Sequence, residues 1–208
     1  MPFKLIIDPE IILAWQARNI SSQSLDGDAF DNPAIGVIWE DAYVLVIRDL
    51  VQLPNGNITP YIRVVGTASI QGATGVAVLA HMKGNFLLLQ HFRHATRSWH
   101  LEIPRGFGTV GIGPEENARK ELLEEAGGEV SDELLDLGPM HSDTGMLETE
   151  VRLFWAPLRS AGKPENSEGI ACLKWVEVEE LAQLIATGEI SDSFTIAAFT
   201  RARLRGLL

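Results

Sequence analysis

Strand segments interrupted by one acidic helix and closed by two C-terminal helices predict an α/β (α+β) chain, a mixed sheet sandwiched between helices. Three observations carry that expectation: β-patterned runs between residues 34 and 68, a helix-period segment bounded by glycines at 113 and 127, and two amphipathic runs after residue 178. The first of these precedes the sandwich as a small antiparallel β-rich region.

Taken in order, residues 1–33 predict a short helix over Pro9 to Arg18 and a polar loop from Ser21 to Asp31, with no chemistry assigned. Strands follow over Ile35 to Trp39, Tyr43 to Val51 and Tyr61 to Val65. The last two are joined at Leu53-Pro-Asn-Gly-Asn, where Asn55-Gly56 tolerates the positive φ of a tight turn. So few strands cannot bury a face alone. Residues 1–66 are therefore expected to pack on the rest of the chain or on a second copy, as a dimerisation region, with residues 67–208 as the main domain.

In that domain, Ala73 to Ala80 and Asn85 to His91 read as strands around a Lys83-Gly84 turn, followed by a loop at His94 to Ser98 and a short strand over Trp99 to Ile103. A helix then runs from Pro114 to Ala126. Gly113 and Pro114 suit N-cap and N1, Glu115 and Glu116 suit the first turn, and Gly127-Gly128 suits a left-handed C-cap. Further strands are expected over Leu134 to Met140, Val151 to Leu158 and Cys172 to Val176. Two helices close the chain, Val178 to Ala186 stopped at Gly188 and Ser193 to Leu204 capped by Asp192.

Composition narrows the function. With 28 acidic against 17 basic residues the formal charge is −11. Such a field repels phosphate backbones, and the trio Arg201, Arg203 and Arg205 is too small to reverse it, so no nucleic-acid partner is expected. No stretch approaches membrane-span length, and Met1-Pro-Phe-Lys-Leu-Ile-Ile-Asp breaks its apolar run too early for a signal peptide. The single Cys172 suits a reducing cytoplasm and reads as a packed strand residue rather than a nucleophile.

The informative feature is the acidic helix. Glu121, Glu124 and Glu125 share a face at i, i+3 and i+4, directly after the glycine-rich loop from Gly106, while Ala118, Leu122 and Ala126 take the core-facing spacing. Carboxylates so placed repel one another by a few tenths of a kcal/mol per pair. A hard divalent cation, Mg²⁺ or Mn²⁺, would relieve the repulsion and is commonly shared with substrate phosphates.

The segment Gly106 to Gly128 resembles the Nudix box, Gly-x5-Glu-x7-Arg-Glu-U-x-Glu-Glu-x-Gly-U with U aliphatic. The lead-in Leu101-Glu-Ile-Pro-Arg-Gly106 is similar to the E-L-P-A-G stretch of ADP-ribose pyrophosphatase-like members. Glu121, Leu122, Glu124, Glu125 and Gly127 match. Ile112 stands where the family has glutamate, Lys120 where it has arginine, and Gly128 where it has an aliphatic residue. In the family that glutamate and arginine brace the loop, so this chain has lost the pair.

The resemblance covers about residues 60 to 204 and implies a Nudix α/β/α fold in a Mg²⁺- or Mn²⁺-dependent pyrophosphohydrolase. It assigns Glu121, Glu124 and Glu125 as metal ligands, with Glu125 also catalytic, and the backbone carbonyl of Arg105 completes the metal shell. The loop Asp143-Thr-Gly-Met-Leu-Glu-Thr-Glu150 is similar to the family's Ser-Pro-Gly-x-x-(Thr/Ser)-Glu, with Thr144 in place of the proline. It supplies a general base or an additional ligand, Glu150 or Glu148. Gln90-His-Phe-Arg93 resembles a substrate-binding Gln-Tyr-Arg stretch, which assigns substrate contacts to Arg93 and Gln90, with Glu102 and Arg105 beside them. No spacing among His91, His94, His100 and His141 forms a metal triad, and Trp99 is expected as a core anchor, with an adenine platform as the alternative.

The implied substrate is a small nucleoside diphosphate derivative, ADP-ribose or a nucleotide sugar foremost. A dinucleoside polyphosphate or nucleoside triphosphate is the other enzymatic reading, and a binding module on a degenerate scaffold the non-enzymatic one. Relatives of this kind use the N-terminal sheet to form a homodimer.

Overall fold

The computed structural model describes residues 3–21, 34–163 and 169–208, in two compact units. The polar loop expected beyond Ser21 lies outside the described residues.

The first unit comprises residues 1–70 together with 143–148. It holds β1 (Lys4–Leu5), α1 (Pro9–Ser21), β2 (Gly36–Glu40), β3 (Val44–Gln52), β4 (Ile58–Gly66) and the short α2 (Thr67–Ile70). Asp8 caps α1 by accepting from the Glu10 amide at 2.9 Å. β3 is the centre of an antiparallel sheet, paired along its whole length with β4 and on its other side with β1 and β2. At the β3–β4 turn only Gly56 takes positive φ, and its N–H donates to Leu53 O at 2.9 Å. The 143–148 loop joins the outer edge of β4: Val64 N–H donates to Met146 O at 2.8 Å, and Glu148 N–H to Val64 O at 3.0 Å.

The second unit, residues 71–142 and 149–208, contains β5 (Gly75–Met82), β6 (Asn85–Arg93), β7 (Ser98–Glu102), β8 (Arg105–Gly106), α3 (Pro114–Ala126), β9 (Glu129–Val130), β10 (Leu135–His141), β11 (Glu150–Ser160), β12 (Ile170–Glu177), α4 (Val178–Ala186) and α5 (Ser193–Leu204). Its mixed sheet runs β10-β11-β5-β6-β12, with β11 and β5 parallel and the other neighbours antiparallel. Alternation along β5 sorts the core into two layers. Val76, Val78 and Ala80 face Ala118, Leu122 and Ala126 of α3; Ala77 and Leu79 face the side covered by Leu181 and Leu184 of α4 and Ala198 and Phe199 of α5. The α/β/α sandwich predicted from the sequence is the architecture of this unit.

The sheet is split where the motif residues lie. β5 and β6 pair only beside their hairpin turn, at His81 with Phe86 and Met82 with Asn85. Further along, β6 pairs with β7 and β5 with β8, so the segment from Ser98 to Gly106 is wedged between them. The link is pinned where Val78 N–H donates to Pro104 O at 2.9 Å.

Two packing expectations fail. Cys172 lies on β12 but is exposed, because it stands at a register shift at the start of the strand, and its thiol meets Gln90 Oε1 at 3.3 Å. Trp99 is 53 % exposed and packs edge-on against Phe92 on the outer side of β6–β7, so it is no core anchor.

Candidate active site

The glycines and caps of α3 place the acidic face as its sequence predicts. Gly113 is the extended N-cap before Pro114, and Gly127 takes φ 53°, with Gly128 N–H closing onto Leu122 O at 2.9 Å. Ala118, Leu122 and Ala126 are fully buried on the sheet. Glu121 and Glu125, one turn apart, are also buried, at 9 % and 8 % exposure, and Glu124 is half-buried.

Both buried carboxylates lie against the Arg105–Gly106 backbone. Glu125 Oε2 accepts the Arg105 amide at 2.9 Å. Glu121 lies over Gly106, where any Cβ would overlap its carboxylate, and Gly108 must be glycine because a Cβ there would run into the Thr74 backbone. Burial pushes the Glu125 carboxyl up to about 7, opposed by the Arg105 amide and reinforced by the neighbouring Glu121 charge.

Lys120 brings a cation to Glu121, and the Arg93 charge acts on Glu125. Lys120 Nζ is 2.8 Å from Glu124 Oε2 and 3.4 Å from Glu121 Oε1, and the Glu124 bond, aided by both negative charges, holds its pKa above the ordinary lysine value. The charge that a brace would have used is thus spent on the carboxylate face. Among the described residues no three His, Cys, Asp or Glu side chains converge as a ready metal cage. The donors nevertheless fit a hard divalent cation: two buried carboxylates beside a backbone strand, with Glu124 available once it turns from Lys120.

Loop and helix are tied by a residue the motif does not specify. Asn117 is fully buried, donates from Nδ2 to Phe107 O at 2.9 Å, and lies 3.2 Å from Thr109 Oγ1 through Oδ1. The only sequence signal for it is its place one residue before the apolar stripe of α3.

Glu102 is 1 % exposed and is the hub of a charge network. Arg93 forks onto it from Nε at 3.1 Å and through a close Nη2 contact with Oε1, Arg105 Nη2 lies 3.5 Å away, and His91 Nδ1 3.2 Å away. Arg105 also reaches Asp192 at 3.8 Å and covers the Phe194 ring at 5.0 Å. Asp192 caps α5 through Thr195, whose hydroxyl accepts the Ile103 amide at 3.0 Å. So Glu102, Arg93 and Arg105 are brought together, with Glu102 enclosed by the arginines, and Gln90 lies on the same strand as Arg93, next to Cys172.

Glu148 and Glu150 fall in different units. Glu150 opens β11 opposite His141, and Gly75 lies between its backbone and that of Gly106: a Cβ there would be 3.3 Å from Gly106 O and 3.9 Å from Glu150 O.

Comparison with known proteins identifies the family. The NUDIX domain matches residues 70–197, more than half of the chain. A solved structure titled as an ADP compounds hydrolase superposes with a TM-score of 0.70 over 87 % of this chain and 98 % of its own, at 17 % identity. No curated protein matches. Among the described residues no helix is long and apolar enough to cross a membrane. The chain belongs to the NUDIX family and is a Nudix pyrophosphohydrolase, of a family that generally uses divalent metal ions.

Proposed function

We propose that the protein hydrolyses the pyrophosphate bond of a nucleoside diphosphate linked to another group, ADP-ribose or a nucleotide sugar, with Mg²⁺ or Mn²⁺, in the cytoplasm. The observation that carries this reading is the burial of Glu121 and Glu125 against the Arg105–Gly106 backbone. Two neighbouring buried carboxylates cost stability unless a charge is brought to them. Glu121, Glu124, Glu125 and the Arg105 carbonyl would hold the cation, which when bound neutralises diphosphate oxygens and orients a water.

The chain's own residues supply the rest. Glu150, in the same unit as Gly106 and separated from it by Gly75, is favoured as the base that takes the proton from water, with Glu148 the alternative. Arg93, held in a fixed plane by Glu102, and Arg105 present guanidinium edges to substrate phosphate, and Gln90 lies on the same strand as Arg93. Glu102 acts through these arginines. A panel of ADP-ribose, nucleotide sugars, dinucleoside polyphosphates and nucleoside triphosphates, assayed with Mg²⁺ and with Mn²⁺, tests the reading. Preferred cleavage of ADP-ribose or a nucleotide sugar supports it, and preference for a triphosphate would replace the substrate. The Lys120–Glu124 pair favours the second reading of a nucleotide-binding module, which binding without turnover across the whole panel would select.

Residues 1–66 are proposed as a dimerisation region and 67–208 as the catalytic domain. Support comes from the exposed Trp39 and Ile62, which the register places on one face of the β2–β3–β4 sheet, an apolar surface that a second copy would cover. Such an interface should bury over ~1,000 Å². Light scattering at micromolar concentration should give twice the chain mass, and a fully active monomer would refute the dimer.

A further inference from the structure

The segment Phe107-Gly-Thr-Val-Gly-Ile-Gly113 contains no ionisable side chain, so no ion pair can fasten it to α3. Its glycines at 108, 111 and 113 give it a large conformational entropy to lose on ordering. Gly108 is packed against the Thr74 backbone, but the Phe107 and Val110 side chains are exposed and do little to restrain the segment. Yet its first residues must be held closely, because Gly106 lies under the Glu121 carboxylate and Arg105 supplies the amide that Glu125 accepts. Its own internal bond, from Ile112 N–H to Thr109 O, is long at 3.4 Å.

Two polar ties from this loop to the helix converge on one side chain. Asn117 is fully buried, and its amide is used at both ends, Nδ2 on Phe107 O at 2.9 Å and Oδ1 on the Thr109 hydroxyl at 3.2 Å. A buried amide satisfied at both ends fixes direction as well as distance, and its removal leaves the Phe107 carbonyl without that donor. Asn117 stands one turn before Glu121 and two before Glu125 on α3, so a loop held by Asn117 is held in register with both carboxylates.

We propose that Asn117 is a positioning residue that clamps the Phe107–Ile112 loop to α3, in place of the charge pair that Ile112 and Lys120 cannot make, and that divalent-metal affinity depends on this clamp. The consequence for metal rests on the proposed function, whereas the clamp itself does not.

The test uses the full chain carrying Asn117→Ala, Thr109→Val or both, with two readouts: hydrogen exchange of metal-free protein and calorimetric titration with Mn²⁺. In Asn117→Ala, amides of residues 107–112 should exchange at least ~10-fold faster while those of β5 and β11 keep their rates, and Mn²⁺ should bind roughly 10-fold more weakly. Thr109→Val, an exposed substitution that spares the fold, should shift both readouts the same way by less, and should add nothing once Asn117 is alanine. Unchanged loop exchange in Asn117→Ala, or an undiminished Thr109→Val effect in that background, would overturn the clamp. A faster loop with unaltered Mn²⁺ affinity would overturn its link to the metal. Wild-type protein that takes up no Mn²⁺ would sink the metal reading itself, and the metal-free exchange would still decide the clamp.

Discussion

Glu102 and the Glu121–Glu125 pair are both buried carboxylate arrangements in the same unit, and they are solved in opposite ways. Glu102, at 1 % exposure, is surrounded by Arg93, Arg105 and His91. Glu121 and Glu125, at 9 % and 8 %, have the chain's backbone beneath them and one lysine shared with Glu124. A buried charge with its countercharges supplied is architecture, and here it fixes two arginines. Two buried carboxylates side by side repel one another, which costs stability that a bound cation would relieve. Burial alone therefore does not distinguish the two arrangements; the supply of positive charge does.

The largest expected effect breaks the undercharged side. Glu125→Gln keeps volume and removes a ligand charge, so turnover should fall by at least ~10²-fold while the fold survives, measured as kcat alongside circular dichroism. Near-normal kcat would remove Glu125 from the site. On the other side, Glu102→Gln leaves Arg93 and Arg105 without their buried partner and should cost about 2 kcal/mol in denaturant unfolding. A loss below the scatter of surface mutations would mean that the network contributes no net stability.

The segments of the chain differ in how legible they were from sequence. The bounds of α3, the C-cap at Gly127, the Asp192 cap and the order of strands around them were readable, because caps, turns and periodicity are local. Several strands were read up to three residues short, as at β4, which starts at Ile58 rather than Tyr61, since pairing with β3 extends a strand beyond its own pattern. What the site does with its charges was not readable. Lys120 could have faced the loop or the next turn, and only the packed helix shows it on Glu124. Asn117 and Glu102 owe their roles to partners 8 to 10 residues away and to a split sheet that no spacing rule describes. Trp99 and Cys172 carry core-forming chemistry but stand where the sheet faces solvent.

A smaller effect follows from pH in metal-free protein. Burial raises the Glu125 carboxyl from the ordinary 4.5 to about 7. Below pH 4.5 folded and unfolded chains both hold the proton. Between there and about 7 the unfolded chain releases it first, so stability falls as pH rises, and above 7 the loss is complete. Against Glu125→Gln, which lacks this titration, the wild-type Tm should drop by roughly 4–8 °C, about 2 kcal/mol, from pH 4.5 to pH 8. A constant gap between the two proteins would show that Glu125 titrates normally. The smallest effect sharpens the account of Lys120. Ile112→Glu with Lys120→Arg should couple by about 0.5–1 kcal/mol in a double-mutant cycle on stability. Strict additivity would show that the existing ties leave nothing for a charge pair to add.

The divalent cation is proposed to bind at the Glu121–Glu125 pair and not at the Glu102 hub. Calorimetric titration of metal-free protein with Mn²⁺ tests this directly in wild type, Glu125→Gln and Glu102→Gln. The account predicts binding to wild type, affinity at least ~10-fold weaker in Glu125→Gln, and affinity within about 3-fold of wild type in Glu102→Gln. Binding that survives Glu125→Gln and is lost with Glu102→Gln would contradict it.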